Sequence, residues 1–205
     1  MTITKQFNFL LIAAFLLLAV GCGQNENQPE SAKADSTAHQ SLVKTDSLAG
    51  KPSKNGMLDS IVAESLTKNI PAAVGYTSDF EGIFTKAQVR SLDSLAKSIE
   101  KESTMEIAVV TLDSSMTSRK DFSQTVLALA KKWGVGKKGK NNGILIGISK
   151  QLKEIWIRTG LGVENKLSNQ QTTEIIKTAF VPQFKQNKFY EGTRQGIIAL
   201  YQQSK

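Results

Sequence analysis

Four carboxylate side chains are candidates for cation binding or acid–base catalysis: Asp79, Glu81, Asp113 and Glu164. Carboxylates ligate hard cations and transfer protons. Asp113 follows an apolar run typical of a buried strand, and open α/β sheets bind ligands at the carboxyl ends of their strands. Asp113 is therefore a candidate catalytic residue, and Asp79 is the second candidate. Each also has a structural interpretation, since Asp79 could cap the turn into a helix at residue 85 and Asp113 could form a turn with Ser114.

Residues 74–205 contain no histidine and no cysteine, because His39 and Cys22 are the only ones in the chain. This excludes Ser-His-Asp triads, histidine or cysteine nucleophiles, and zinc sites built from thiolates or imidazoles. A metal would be held by oxygen atoms, which indicates calcium or magnesium. We expect neither zinc nor a nucleotide cofactor.

A glycine- and lysine-rich loop precedes two predicted strands, in the sequence WGVGKKGKNNGILIGISKQLKEIWIRTGLG of residues 133–162. Lys137, Lys138 and Lys140 place three positive charges among glycines, which permit unusual backbone angles. The pattern favours binding of an anion or an acidic partner. The alternative is a solvated loop whose lysines keep a strand end soluble.

Helical and strand periodicities alternate through this part of the chain. Capping boxes at Thr85/Gln88 and Ser168/Gln171 begin two helices, and Pro182 is predicted to end the second. The predicted helices are 86–102, 122–133, one after 168, and 188–203; the predicted strands are 105–112, 143–149 and 154–158. The last two strands should form an antiparallel hairpin at the sheet edge. The pattern predicts an α/β fold, a three-layer α/β/α sandwich with a small mixed, mostly parallel sheet.

This topology predicts a ligand site at the glycine-rich loop, because the hairpin returns the chain beside it. Residues expected to bind a phosphate or another anion are Lys137, Lys138, Lys140, Asn142, Arg158 and Gly160. Asn141 and Glu164 are expected to join the same cluster, as is Asp79. The alternative is a glycine-dependent turn network in which Arg158 pairs structurally with a carboxylate.

The amino-terminal part has the pattern of an exported, lipid-anchored protein. Residues 1–21 resemble a signal peptide, and Leu18-Ala19-Val20-Gly21-Cys22 resembles a bacterial lipobox, so Cys22 is the predicted lipidation site. An ordinary signal peptide or an uncleaved anchor is the alternative. Residues 22–73 are predicted to be a flexible tether with a marginal helix near residues 58–66, and residues 74–205 a folded domain.

The folded part carries the positive charge, with 20 Lys and Arg against 12 Asp and Glu in residues 74–205. No aromatic residues interleave the lysine loop, so we expect no nucleic-acid partner. Anionic headgroups, phosphorylated compounds or acidic envelope proteins fit this charge, and simple solubility is the alternative. The predicted location is the cell envelope, at the periplasmic face or the outer membrane.

Six segments in order resemble the TPM domain family: residues 77–85, 106–112, 133–136, 140–143, 158–164 and 182–184. The resemblance implies an anchored extracytoplasmic α/β/α domain, and some thylakoid-lumen members are described as acid phosphatases that bind a divalent cation. It implies Asp79, Asn141 and Glu164 as metal ligands. Family members commonly have Lys-Asp-Asn-Gly where this chain has Lys140-Asn141-Asn142-Gly143, and the lost charge should weaken calcium binding.

Two functions follow as hypotheses. The first is a binding or assembly module of the cell envelope that contacts a membrane complex or an acidic partner. The second is a weak calcium- or magnesium-dependent acid phosphatase. The absence of histidine and the asparagine at position 141 favour the first, since uncharged side chains stabilise phosphoryl transfer poorly.

Overall fold

A computed structural model describes residues 44–47, 56–136 and 139–205, in which one mixed sheet is covered by helices on both faces. The sheet has the strand order β1-β5-β4-β3-β2. Its strands are β1 (Lys44–Ser47), β2 (Thr77–Asp79), β3 (Glu106–Thr111), β4 (Gly143–Ser149) and β5 (Glu154–Thr159). Only the β4–β5 pair is antiparallel. The predicted α/β class is confirmed.

Two strands differ from the prediction. The short strand β2 was not predicted, and it pairs in parallel with β3, so that Asp79 lies opposite Thr111. The hairpin of β4 and β5 is confirmed, but β5 is not at the edge, because β1 pairs with its outer side. A three- or four-residue strand has too little pattern to be recognised from the sequence, and only pairing with a longer neighbour defines it.

The helices form two layers around separate apolar clusters. The helices are α1 (Gly56–Thr67), α2 (Lys86–Ser103), α3 (Phe122–Trp133), α4 (Leu161–Glu164), α5 (Asn169–Ile175), α6 (Val181–Phe184) and α7 (Phe189–Gln203). One cluster, with Ile107, Ile146 and Ile157 from the sheet, is covered by α2, α5 and α7; the other, with Val110 and Leu145, is covered by α3. Strands β3 and β4 are buried on both faces, which explains their near-continuous apolar sequence.

Both predicted capping boxes are present, at Thr85 with Gln88 and at Ser168 with Gln171. The prediction that Pro182 ends the second of these helices is wrong. A π-helical segment, Ile176–Phe180, follows α5, and Pro182 lies in the first turn of α6. The amide of the preceding residue, Val181, donates to the Ile176 carbonyl across the π-helical turn, and proline itself has no amide hydrogen to donate.

Part of the segment predicted to be a tether has regular structure, in β1 and α1. Thr67 is buried at the end of α1, and its carbonyl oxygen accepts a hydrogen bond from Lys132 Nζ of α3 at 3.2 Å. Leu58, Ile61 and Val62 are each more than half exposed, so α1 does not bury its apolar face in the domain. The predicted signal peptide and the predicted lipidation site, Cys22, lie outside the described residues. In the described ranges, no helix is both long and apolar enough to cross a bilayer.

The Tyr76 hydroxyl predicts a pH dependence of stability. It donates to Glu100 Oε2, and this bond, with burial and the nearby carboxylates, raises the pKa of Tyr76 to about 12. Folding therefore favours the neutral phenol, and this stabilisation is complete below the usual tyrosine pKa of about 10 and is lost as the pH rises through 12. Urea denaturation of the wild type and of Tyr76→Phe should give a stability difference that shrinks between these pH values. A difference that does not change over this interval contradicts the assignment.

Candidate binding site at the carboxyl edge of the sheet

We call the edge where β2, β3 and β4 end the carboxyl edge; it comprises residues 79–84, 112–116 and 149–153. Asp79 fixes the first of its loops. Its Oδ1 accepts from the amide of Ile83 at 3.1 Å, its Oδ2 from the amide of Phe84 at 2.8 Å, and Thr111 Oγ1 donates to Oδ1 at 2.6 Å. These bonds match the structural interpretation of Asp79, in which the carboxylate holds the turn into α2.

Glu81 joins this loop to the turn between β4 and β5. Its two carboxylate oxygens accept from the amides of Lys150 at 2.8 Å and Gln151 at 2.7 Å, while its own amide donates to Thr111 Oγ1 at 3.0 Å. Burial raises the pKa of Glu81, the two amides partly oppose this, and the carboxylates of Asp113 and Asp79 add to it. Glu81 thus connects its own loop to the β4–β5 turn, whose residues Lys150 and Gln151 are 69 and 70 positions away in sequence.

Asp113 fixes the third loop of this edge. Its Oδ1 accepts from the Ser115 amide at 2.8 Å and the Ser115 hydroxyl at 2.6 Å, and these bonds lower the pKa of Asp113. The Ser114 amide donates to Gln151 Oε1 at 3.0 Å, which connects the loop to the same β4–β5 turn. The carboxyl edge is therefore a set of loops held together by carboxylate and amide side chains.

A groove opens beside the β4–β5 turn and continues to the start of α7. Its volume is about 460 Å³. Its apolar part includes Ile155, Val181, Phe184 and Phe189, and its basic part consists of Lys150, Lys153 and Lys185. Lys150 Nζ lies 5.6 Å from the centroid of the Phe189 ring. The two hydrogen bonds that Glu81 accepts come from the β4–β5 turn, which carries Lys150 and Lys153.

The opposite edge, which we call the amino edge, holds the glycine-rich loop. The Gly160 amide donates to the Gly143 carbonyl at 2.8 Å, and the Gly162 amide donates to the Asn141 carbonyl at 3.0 Å. Asn141 has φ of 47°, a left-handed conformation that asparagine tolerates better than most residues. Asn142 Nδ2 donates to the Thr104 carbonyl at 2.6 Å. The loop and the hairpin end meet as predicted, and their bonds match the alternative of a glycine-dependent turn network.

The Arg158 side chain lies against the start of α3 and not in this turn network. Its side chain is 0% exposed, Nη2 donates to the Ser123 carbonyl at the start of α3 at 2.8 Å, and the guanidinium carbon lies 5.1 Å from the Trp156 ring centroid. The reason is the period of two in β5, which directs Arg158 toward α3 on the same face as Trp156. A fully buried guanidinium in this place does not contact a ligand at the loop surface.

The other predicted anion-binding residues lie at the amino edge or outside the described part. Lys140 is exposed and places Nζ 3.5 Å from Thr104 Oγ1. Gly160 is the N-cap residue of α4. Lys137 and Lys138 are outside the described residues. A phosphate site in this loop therefore stays a prediction.

The three implied metal ligands do not form one site. Asp79 is opposite Thr111 at the carboxyl edge, whereas Asn141 precedes β4 and Glu164 follows β5 at the amino edge. The length of β3, about 17 Å at the usual rise per residue, separates the two edges. Both Asp79 oxygens already accept amide hydrogen bonds. Among the described residues, no three His, Cys, Asp or Glu side chains are grouped to hold a metal ion.

The sequence indicates Glu81 as a candidate carboxylate without a specific role, and it gives no motif for Lys150, Gln151 or the two phenylalanines of the groove. One signal was available, since Phe184 and Phe189 flank a run with two lysines, KQNK, between two helices. Their convergence with the β4–β5 turn depends on how α6 and α7 pack.

Known proteins were found to be similar at the level of the family and of the structure. The family profile for the TPM domain matches residues 77–203. The solution structure of the N-terminal domain of a protein from P. gingivalis is similar, with 27% identity and a TM-score of 0.54, over 69% of this chain and 86% of that one. The N-terminal domain of the cg2496 protein from Corynebacterium glutamicum has 10% identity and a TM-score of 0.49, over 67% and 85%. No curated protein matches the chain.

Proposed function

The chain belongs to the TPM domain family through residues 77–203, and from this premise we propose that it is a binding module of the cell envelope, with the carboxyl edge of its sheet as the recognition surface. The module is held at a membrane by a lipid on Cys22 in this proposal. Its partner is a protein or complex of the envelope that approaches the groove beside the β4–β5 turn.

The observation that carries the proposal is the Glu81 bridge. Both carboxylate oxygens accept backbone amides of the β4–β5 turn, at 2.7 and 2.8 Å, so the side chain maintains the shape of the edge. Binding surfaces gain affinity when their loops are ordered before the partner arrives, because less conformational entropy is lost on association. Asp79 and Asp113 support the neighbouring loops in the same way.

The charge and the sequence of the amino-terminal segment support an envelope location. The domain has an excess of eight basic residues, which favours acidic partners and anionic surfaces. An acylated Cys22 would keep the domain near a membrane. Fractionation of cells that express the wild type or Cys22→Ser tests the anchor separately, and release of the variant from the membrane fraction is the expected result.

Site-specific cross-linking in intact cells tests the binding surface. A photoreactive amino acid at position 153, in the groove, should give one reproducible adduct with an envelope protein. The same amino acid at position 131, an exposed site near the end of α3, serves as the control and should not give that adduct. Absence of a discrete adduct at position 153 argues against the proposal.

The Glu81→Ala variant should reduce the position-153 adduct several-fold and lower the free energy of unfolding by about 1–2 kcal/mol, because two amides lose a charged acceptor at a half-buried site. Urea denaturation measures the second effect. Glu174→Ala, which truncates an exposed glutamate on α5, is the matched control and should change neither quantity.

The acid phosphatase of the second hypothesis is tested on the same proteins. The raised pKa of Glu81 is the observation in its favour, since a half-buried carboxyl can donate a proton to a leaving group. Phosphomonoester turnover that needs calcium or magnesium and is lost in Glu81→Gln would favour the enzyme. Turnover at the background rate, together with the position-153 adduct, favours the binding module.

A further inference from the structure

The shape and charge of the groove specify the kind of partner that it accepts. We propose that the groove beside the β4–β5 turn binds an acidic peptide segment that inserts one large apolar side chain. This inference rests on the proposed function, because it names the partner chemistry of the same surface.

The interior of the groove suits a bulky apolar group. Phe184 and Phe189 pack with ring centroids 4.9 Å apart, and Val181 and Ile155 extend this apolar wall. The cavity volume of about 460 Å³ falls within the range of sites that enclose small ligands. That space accepts one or two large side chains, and an aromatic side chain contributes the most buried area for its loss of conformational freedom.

Positive charge surrounds this apolar interior. Lys150, Lys153 and Lys185 are exposed around the groove. Glu154 also lines it, but its side chain is only 5% exposed and its Oε1 lies 3.4 Å from Arg119 Nη1. The exposed charged side chains that line the groove are therefore the three lysines, which steer and orient an acidic segment.

The concave shape favours a peptide over a bilayer surface. The three lysines line a cavity, and a lipid headgroup layer cannot enter it without exposing acyl chains, whereas a peptide can place one side chain inside and its carboxylates beside the lysines. Two backbone amides of the turn that carries Lys150 and Lys153 donate hydrogen bonds to Glu81. This part of the groove is therefore ordered before the peptide binds.

The test uses the full chain in a neutral detergent and two fluorescein-labelled heptapeptides, EDEWEDE and EDEAEDE, with binding measured by fluorescence anisotropy at low ionic strength. The tryptophan peptide should bind at least about tenfold more tightly than the alanine peptide, because truncating an anchoring aromatic side chain typically costs this much. Phe189→Ala should weaken binding of the tryptophan peptide about tenfold and remove the difference between the peptides.

Charge reversal distinguishes binding in the groove from nonspecific attraction of an acidic peptide to the basic domain. The triple variant Lys150→Glu, Lys153→Glu, Lys185→Glu should abolish binding. The control triple Lys97→Glu, Lys101→Glu, Lys131→Glu makes the same change in net charge on exposed positions of α2 and α3 and should leave the affinity unchanged. Circular dichroism confirms that both triples are folded before binding is compared.

Two results would overturn the inference: no binding of either peptide, whether or not vesicles that contain phosphatidylglycerol bind, or equal loss of affinity in both triples. If the position-153 adduct persists in cells after either of these results, the binding module stands and only its acidic-peptide partner is wrong. If the adduct is also absent, the proposed function itself fails.

Discussion

Thr111→Val should lower the free energy of unfolding by about 3 kcal/mol, although valine has almost the same shape as threonine. Thr111 is 0% exposed, and its hydroxyl connects Asp79 and Glu81: it donates to Asp79 Oδ1 at 2.6 Å and accepts from the Glu81 amide at 3.0 Å. The valine leaves that amide without its acceptor and removes one of three donors to the Asp79 carboxylate. Leaving a buried donor unsatisfied costs more than the net gain of making the bond.

Thr77→Val is the matched control, because Thr77 lies on the adjacent strand β2 and is 3% exposed. Its Oγ1 has no hydrogen-bond partner among the described residues. Removing that hydroxyl should change stability by less than about 1 kcal/mol, in the stabilising direction, since an unpartnered polar atom no longer has to be buried. Urea denaturation of both variants measures the contrast. Similar changes in the two variants would mean that the Asp79–Thr111–Glu81 connection does not stabilise the carboxyl edge.

Gly160→Ala should destabilise the domain by about 3 kcal/mol, at the upper end of the cost of overpacking. A Cβ at Gly160 would lie 2.0 Å from the carbonyl oxygen of Asn141, and that oxygen already accepts the Gly162 amide at 3.0 Å. Gly160 has φ of −75°, which alanine adopts without strain, so the whole effect comes from this contact. The hairpin end and the glycine-rich loop must separate to accommodate the methyl group.

Gly56→Ala controls for the substitution itself, because a Cβ at Gly56 meets nothing within 4 Å. It should change the free energy of unfolding by less than about 0.5 kcal/mol. Thermal denaturation of the two variants gives the comparison. Because Gly160 is at the amino edge, folded Gly160→Ala protein should keep the peptide affinity of the wild type. A stability loss of the same size in both variants would contradict the close contact at Gly160.

The long helices and the two central strands follow from local signals. The capping boxes at Thr85 and Ser168 start helices where predicted, because cap hydrogen bonds involve residues only three positions apart. The apolar run of β4 required cover on both faces, and the structure provides it. The π-helical segment before Pro182 has no comparable local signal, and its residue Phe180 packs against Gly196 of α7, 16 positions away in sequence.

The site was predicted less well because its contacts are distant in sequence. Arg158 was assigned to the loop at residues 134–142 by proximity along the hairpin, yet it donates to the Ser123 carbonyl, 35 residues away. The pattern of β5 indicated which face Arg158 occupies, but not which group it meets there. The Glu81 bridge spans an even greater separation, and nothing near Glu81 in the sequence identifies the amides that it accepts.

By itself, the sequence determined the α/β class, the main helices and strands, the positive charge and the exclusion of histidine and cysteine chemistry from the domain. These properties depend on composition and on interactions between near neighbours. Only the tertiary structure decided that Asp79 and the pair Asn141 and Glu164 lie at opposite edges, and that three lysines line a partly apolar groove. Strand direction and helix packing set those positions, and both arise from burial of side chains that are far apart in the chain.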